Sequence, residues 1–218
     1  TGNIETLEYL LSYGNMKIII SSPLGNKTHL QKEMNDFLSV HGDGIYDITF
    51  LTNNIREIQD KMKMNTISGD LQDHDHYQTI TYQTCMVGSN LTHTFIELDH
   101  ERSEHSDVLF SNYELISDVN IRGDMDLDHT VINVRENEMK KTAQWYEECL
   151  GFHCFWSVDD KDINTENSSL KSTVMSNETG TIKIPINEPG PGKKESQIQE
   201  FINEYNGPGV QHVALRVP

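Results

Sequence analysis

The sequence predicts an α+β fold assembled from a repeated unit of one strand, one helix and three strands. Two observations carry this. Alternating strand-like runs and helical stripes succeed one another along the chain. In addition, "GDGIYDITF" (42–50) and "GPGVQHVALR" (207–216) match position by position: Gly, a variable residue, Gly, a β-branched residue, two polar residues, then apolar alternation. "LDHTVINV" (127–134) is a looser third copy. The position held by Asp47 in the first copy is His129 or His212 in the others.

The elements follow in order. Met16–Ser21 reads as a strand, and 28–40 as a helix with Leu30, Met34, Phe37 and Leu38 on one stripe. A Gly-Asp-Gly turn then feeds the strand ending at Phe50. A short helix covers 54–62, and strands lie near 78–86 and 92–98. Segments 68–78 and 99–107 read as polar loops. The second half opens on the strand 126–134. Its helix carries Met139, Ala143, Tyr146 and Leu150 on one face, and Gly151 stands where a left-handed stop belongs. Strands at 152–158, 170–176 and 181–186 complete that unit. After the loop "NEPGPGKKE", a helix places Ile198, Phe201, Ile202 and Tyr205 together, with Ser196 and Gln199 at capping-box spacing. The last copy of the repeat closes the chain.

A formal charge of -17 over 218 residues argues against nucleic-acid or anionic-membrane surfaces, which need clustered Lys and Arg. The longest strongly apolar run, Met16–Ile20, is too short to span a bilayer. Cys85, Cys149 and Cys154 form neither a CxxC pair nor an even framework, which fits a reducing, cytoplasmic compartment. The chain opens on Thr1 with no leader and closes just after a strand, so both ends are expected to be cut from a longer protein. "GPGKK" lacks the spacing and the strand-to-helix setting of a phosphate loop.

His129 and His212 occupy equivalent first-strand positions. Units packed by pseudo-twofold symmetry would bring these imidazoles together, and two neutral imidazoles suit Fe, Zn, Cu or Ni. Taken alone, each reads first as a core or strand histidine with a hydrogen bond, and only the pairing raises the metal reading to its level. His74, His76, His100 and His105 lie in polar segments and read as solvated.

The stretches "HTVINVRENEMKKTAQWYEECLGFHCFWSVDD", "NSSLKS", "IPINEPGPGKKESQIQEF" and "GPGVQHVALR" resemble the 4-hydroxyphenylpyruvate dioxygenase family; "KEMNDFLSVHGDGIYDITF" and "THTFIEL" resemble it more weakly. The resemblance implies a vicinal-oxygen-chelate fold, with two domains each built of two βαβββ modules. Residues 1–120 would be the later part of an N-terminal domain. Residues 121–218 would be one full module of the catalytic domain and the first strand of the next. The resemblance further implies Fe(II) held by His129, His212 and a glutamate lying beyond Pro218. Glu97 sits in the other barrel and is expected to be structural. Asp128 adjoins His129, and successive strand side chains point to opposite faces. It is therefore not expected to share the metal.

By the same resemblance, Ser172, Asn187, Gln197 and Gln211 would line the substrate, 4-hydroxyphenylpyruvate. With O2 it would give homogentisate and CO2 in tyrosine catabolism, in a homodimer when full length. Each of the four also has a bland reading as a surface, turn or strand residue. A hydroxymandelate synthase and a non-catalytic dioxygenase-like module are the alternatives, and retention of both histidines and all four polar residues counts against the second. The 218-residue chain alone, lacking the third ligand, is expected to bind iron weakly and to be inactive. A longer transcript is expected to carry a glutamate on a strand downstream of Pro218, in a module resembling the one that starts at Leu127.

Overall fold

The structure is a computed structural model that describes residues 5–14, 16–99, 109–116, 125–158, 170–192 and 194–217. It opens with a hairpin of β1 (Thr6–Tyr13) and β2 (Met16–Pro23), paired antiparallel along its whole length. Strand β1 was not expected from the sequence. Helix α1 (His29–His41) follows. Thr28 accepts from the Gln31 backbone N–H, and Gln31 Oε1 accepts from the Thr28 N–H, a reciprocal cap that fixes the helix start. The expected apolar stripe is only partly buried. Phe37 is buried, but Leu30 and Leu38 are exposed. Gln31 is buried instead, because its side chain also donates to the Glu5 carbonyl of the hairpin.

Two copies of one topology come next. In the first, β3 (Asp47–Leu51), α2 (Ile55–Met64), β4 (Gln72–Asp73), β5 (Tyr77–Gln83) and β6 (Thr92–Leu98) form a sheet ordered β3-β6-β5-β4. In the second, β7 (Asp126–Asn133), α3 (Met139–Leu150), β8 (His153–Val158), β9 (Leu170–Ser176) and β10 (Lys183–Pro189) form the order β7-β10-β9-β8. In both, the first strand runs parallel to the last, and the remaining pairs are antiparallel. The repeat read from sequence is therefore a repeat in space. After α4 (Gln197–Glu204), β11 (Gly209–Arg216) adds to the outer edge of β7.

Local chemistry explains the boundaries. Gly151 ends α3 at φ 68°, the left-handed conformation that costs glycine least. No side chain at the N-cap holds the start of α3; buried Glu188 reaches across from β10 to accept from the Met139 N–H. Pairing with β9 through Glu188↔Lys171 and Pro189↔Leu170 carries β10 beyond the expected end at Ile186. Ser196 caps α4 by accepting from the Gln199 N–H, whereas the Gln199 amide turns to Asn203 and leaves the box half made. The polar stretch at 68–78 contains the short β4, and the one at 99–107 lies, apart from Asp99, outside the described residues.

One apolar cluster joins the two units. Ile55, Met62, Ile80 and Phe95 of the first meet Ile132, Tyr146, Met175 and Ile186 of the second. Helix α2 packs on β5 and β6, α3 packs on β8, β9 and β10, and the two helices touch. Across this seam His93 Nε2 lies 2.7 Å from the Tyr146 hydroxyl, both fully buried. Burial lowers the His93 pKa to about 4, only partly offset by backbone groups of Thr92 and Ile48. Because the folded value lies below the unfolded value near 6.5, the unfolded chain takes up this proton first as pH falls. Stability is then lost progressively from about pH 6.5 down to about pH 4. The expected loss from this one group is about 3 kcal/mol, and His93→Gln should flatten that slope in chemical denaturation. A slope unchanged by the substitution would assign the acid sensitivity elsewhere.

Candidate metal centre

Strand β7 is central because β10 covers one edge and β11 the other. Its side chains alternate: Thr130 and Ile132 face α3 and the core, while His129, Val131 and Asn133 face the opposite side. On β11, Val210 pairs with Ile132 on the core side. Strict alternation would then send His212 to the core side as well. A register shift between Val210 and His212 places His212 opposite Val131 instead, on the face of His129. Val213 returns to the core side against Thr130, and Ala214 pairs with His129. The two imidazoles thus become diagonal neighbours, with ring centroids 5.9 Å apart and planes at 72°. The convergence expected from the repeat is present.

A second irregularity, between Ala214 and Leu215, leaves Asp128 as an extra residue on β7. Here the sequence expectation needs correcting. Asp128 does not point away from His129; its Oδ2 lies 2.8 Å from His129 Nδ1, because the bulge breaks the alternation that would have separated them. A carboxylate only accepts, so His129 donates through Nδ1–H and Nε2 carries the lone pair. His212 Nδ1 lies 3.1 Å from Gln211 Oε1, so it too donates through Nδ1 and leaves Nε2 bare. Burial, and then the neighbouring His129, lower the His212 pKa and favour the neutral ring.

These residues fit a divalent metal. With a metal–nitrogen bond of about 2.1 Å, two ligating rings have centroids within roughly 6.5 Å of one another, and the observed spacing falls inside that span. Two neutral nitrogen donors suit a first-row transition metal. Among the described residues no group of three or more His, Cys, Asp and Glu side chains is placed to hold an ion, so the pair makes an incomplete set. Glu97 is committed elsewhere: its Oε2 accepts from the Ile55 N–H at the start of α2. Asp47, at the repeat position of His212, accepts from Thr49, Thr92 and Thr94 at 2.7–2.9 Å and stands in a cage of hydroxyls.

The four polar candidates are placed unevenly. Ser172 is buried on β9 and pairs with Asn187 on β10, which pairs with Asn133 on β7; all three lie on the His129 face. Asn187 donates to Asn133 at 3.4 Å. Gln211 sits in the β11 bulge and is engaged by His212. Gln197 is exposed at the start of α4 and forms no hydrogen bond to the others among the described residues. Beside His129, a cavity of about 320 Å³ is walled by Phe155, Trp156, Val174, Lys183 and Pro185. Sequence reading passed over Lys183 and Trp156. The signal available was their position on the same sheet face, which needs the strand register.

Residues 126–218 match the model of the Glyoxalase/Bleomycin resistance protein/Dioxygenase superfamily. The chain is 37% identical, over 99% of its length, to the 4-hydroxyphenylpyruvate dioxygenase of Yarrowia lipolytica, and equally so to that of Dictyostelium discoideum. Over nearly its whole length the chain is similar to 4-hydroxyphenylpyruvate dioxygenases. The chain spans 57% of the Yarrowia protein and 60% of the Dictyostelium one. A solved variant of 4-hydroxymandelate synthase from Streptomyces coelicolor superposes with a TM-score of 0.75, covering 99% of this chain and 60% of that one at 18% identity. A xylose isomerase-like TIM barrel/4-hydroxyphenylpyruvate dioxygenase fusion protein superposes at 0.65, covering 97% and 30% at 12% identity. The paired βαβββ units are thus shared with solved members of this fold. Among the described residues no helix is long and apolar enough to cross a membrane.

Removing either imidazole, by His129→Ala or His212→Ala, leaves one nitrogen donor. Affinity for Co(II) is expected to fall at least roughly tenfold by isothermal titration. Wild-type affinity in either variant removes that histidine from the donor pair.

Proposed function

We propose that the polypeptide carrying this chain is a 4-hydroxyphenylpyruvate dioxygenase of tyrosine catabolism, converting 4-hydroxyphenylpyruvate and O2 to homogentisate and CO2. The observation that carries this is the convergence of His129 and His212, each with Nδ1 tied and Nε2 free, in a chain whose relatives bear that name. These two residues would hold Fe(II), with a glutamate downstream of Pro218 as third ligand. Two histidines and one carboxylate leave coordination positions open for substrate and O2. The bound iron would supply O2 activation and a Lewis acid for the 2-oxo acid.

The chain's own residues would hold and orient the substrate. Ser172 and Asn187 offer neutral hydroxyl and amide groups on the metal face, which can bind a phenol or carboxylate without competing strongly for iron. Gln211 and Gln197 are assigned the same role. For Gln211 this means sharing its amide with His212. The aromatic wall of Phe155 and Trp156 would help exclude water from the reacting centre.

Residues 1–120 would be the later part of an N-terminal domain and residues 121–218 the opening of the catalytic one. The whole protein would be a cytoplasmic homodimer with no nucleic-acid or membrane partner. The 218-residue chain alone, with two of three ligands, would be inactive. The test supplies the full polypeptide with Fe(II), 4-hydroxyphenylpyruvate and O2 and identifies the products by chromatography and mass. Homogentisate and CO2 in equal amounts are expected, and His129→Ala or His212→Ala should abolish both. 4-Hydroxymandelate as product would transfer the reading to the synthase, and absence of turnover would reject an enzyme of this kind.

A further inference from the structure

The β7 bulge brings Asp128 to the back of His129, and a third group joins it there. Lys183, on the neighbouring β10, places Nζ 3.4 Å from Asp128 Oδ1 while Oδ2 accepts from His129 Nδ1. Both carboxylate oxygens are therefore engaged, one on each side. Lys183 and His129 also wall the same cavity, so this chain of contacts lies beside the proposed metal position.

We infer that Asp128, turned toward His129 by the β7 bulge and steadied by Lys183, is a positioning residue that fixes His129 as its Nδ1–H tautomer and presents Nε2 to the metal. This rests on the metal reading of the two histidines. The physical reason lies in the acceptor-only chemistry of the carboxylate. An amide or hydroxyl partner can either donate or accept and leaves the ring free to choose its tautomer, whereas a carboxylate accepts only and selects one. Partners of this kind behind a ligating imidazole set ring orientation and raise ligand basicity. His212 has Gln211 in the same place, and the Gln211 side chain can also donate, so the selection is stricter at His129. The ion pair with Lys183 reinforces it.

The test has two arms. In metal-free, 15N-labelled protein at neutral pH, long-range 1H–15N correlation reports the tautomer of His129, assigned by its loss in His129→Gln. The wild type is expected to show Nδ1–H alone. Asp128→Ala should bring in a substantial Nε2–H population, and Asp128→Asn, which keeps the shape but can donate, should do so to a smaller extent. In the second arm, Co(II) uptake by the full polypeptide is followed by visible absorption. Affinity should fall about 10–100-fold in Asp128→Ala and less in Lys183→Met, which keeps the carboxylate in place. A tautomer unmoved in both Asp128 variants overturns the positioning role, as does unchanged Co(II) affinity in Asp128→Ala. Wild-type protein that shows the Nδ1–H tautomer yet takes up no Co(II) instead overturns the metal reading.

Discussion

The antiparallel pairing of β7 with β11 is the contact on which the candidate centre depends. β7 opens one structural unit and β11 follows the helix that closes it, so their pairing sets side by side two strands that the sequence keeps far apart. Backbone hydrogen bonds fix the register, and register decides which side chains share a face, because a one-residue slip reverses every side chain. Two bulges then refine the result. One brings His212 to the face of His129; the other swings Asp128 behind it. Each uses a single unpaired residue to re-aim a polar group, a common placement for bulges beside functional sites.

The rest of the fold keeps that pairing in place. β7 is buried on its core side by Ile132, with Val134 just beyond its end, within an apolar cluster that continues through α3 and α2 into the first sheet. The hydrogen bond between His93 and Tyr146 crosses the same seam, and its cost in acid follows from burying an imidazole that must stay neutral. Glu188 does similar work at the start of α3, where it accepts from Met139 and from Lys171 with little exposure. Each ties a strand of one layer to a helix of the next, which limits the freedom of the imidazole face.

Both units share a topology and differ in chemistry at the equivalent place. Asp47 is surrounded by three threonine hydroxyls, and burial raises its pKa against the lowering effect of those bonds. No imidazole stands there, and Glu97 caps a helix. The same strand arrangement therefore carries a hydroxyl-caged carboxylate in one unit and the candidate imidazole pair in the other. Fold alone does not assign function; the side chains at one strand position do.

The sequence by itself determined the repeat, most helices and strands, the cap at Ser196, the stop at Gly151 and the candidacy of His129 and His212. These are legible because they follow from local chemistry: side-chain periodicity, backbone conformation and capping groups within a few residues. Strand β1 escaped that reading, as did the exposure of Leu30 and Leu38, because each is settled by what lies across from it. Only the tertiary structure decided that His212 shares a face with His129, that Asp128 faces its neighbour and that Lys183 completes the group. Those outcomes come from bulges and from the alignment of strands distant in sequence, and no local pattern encodes which residue is left unpaired.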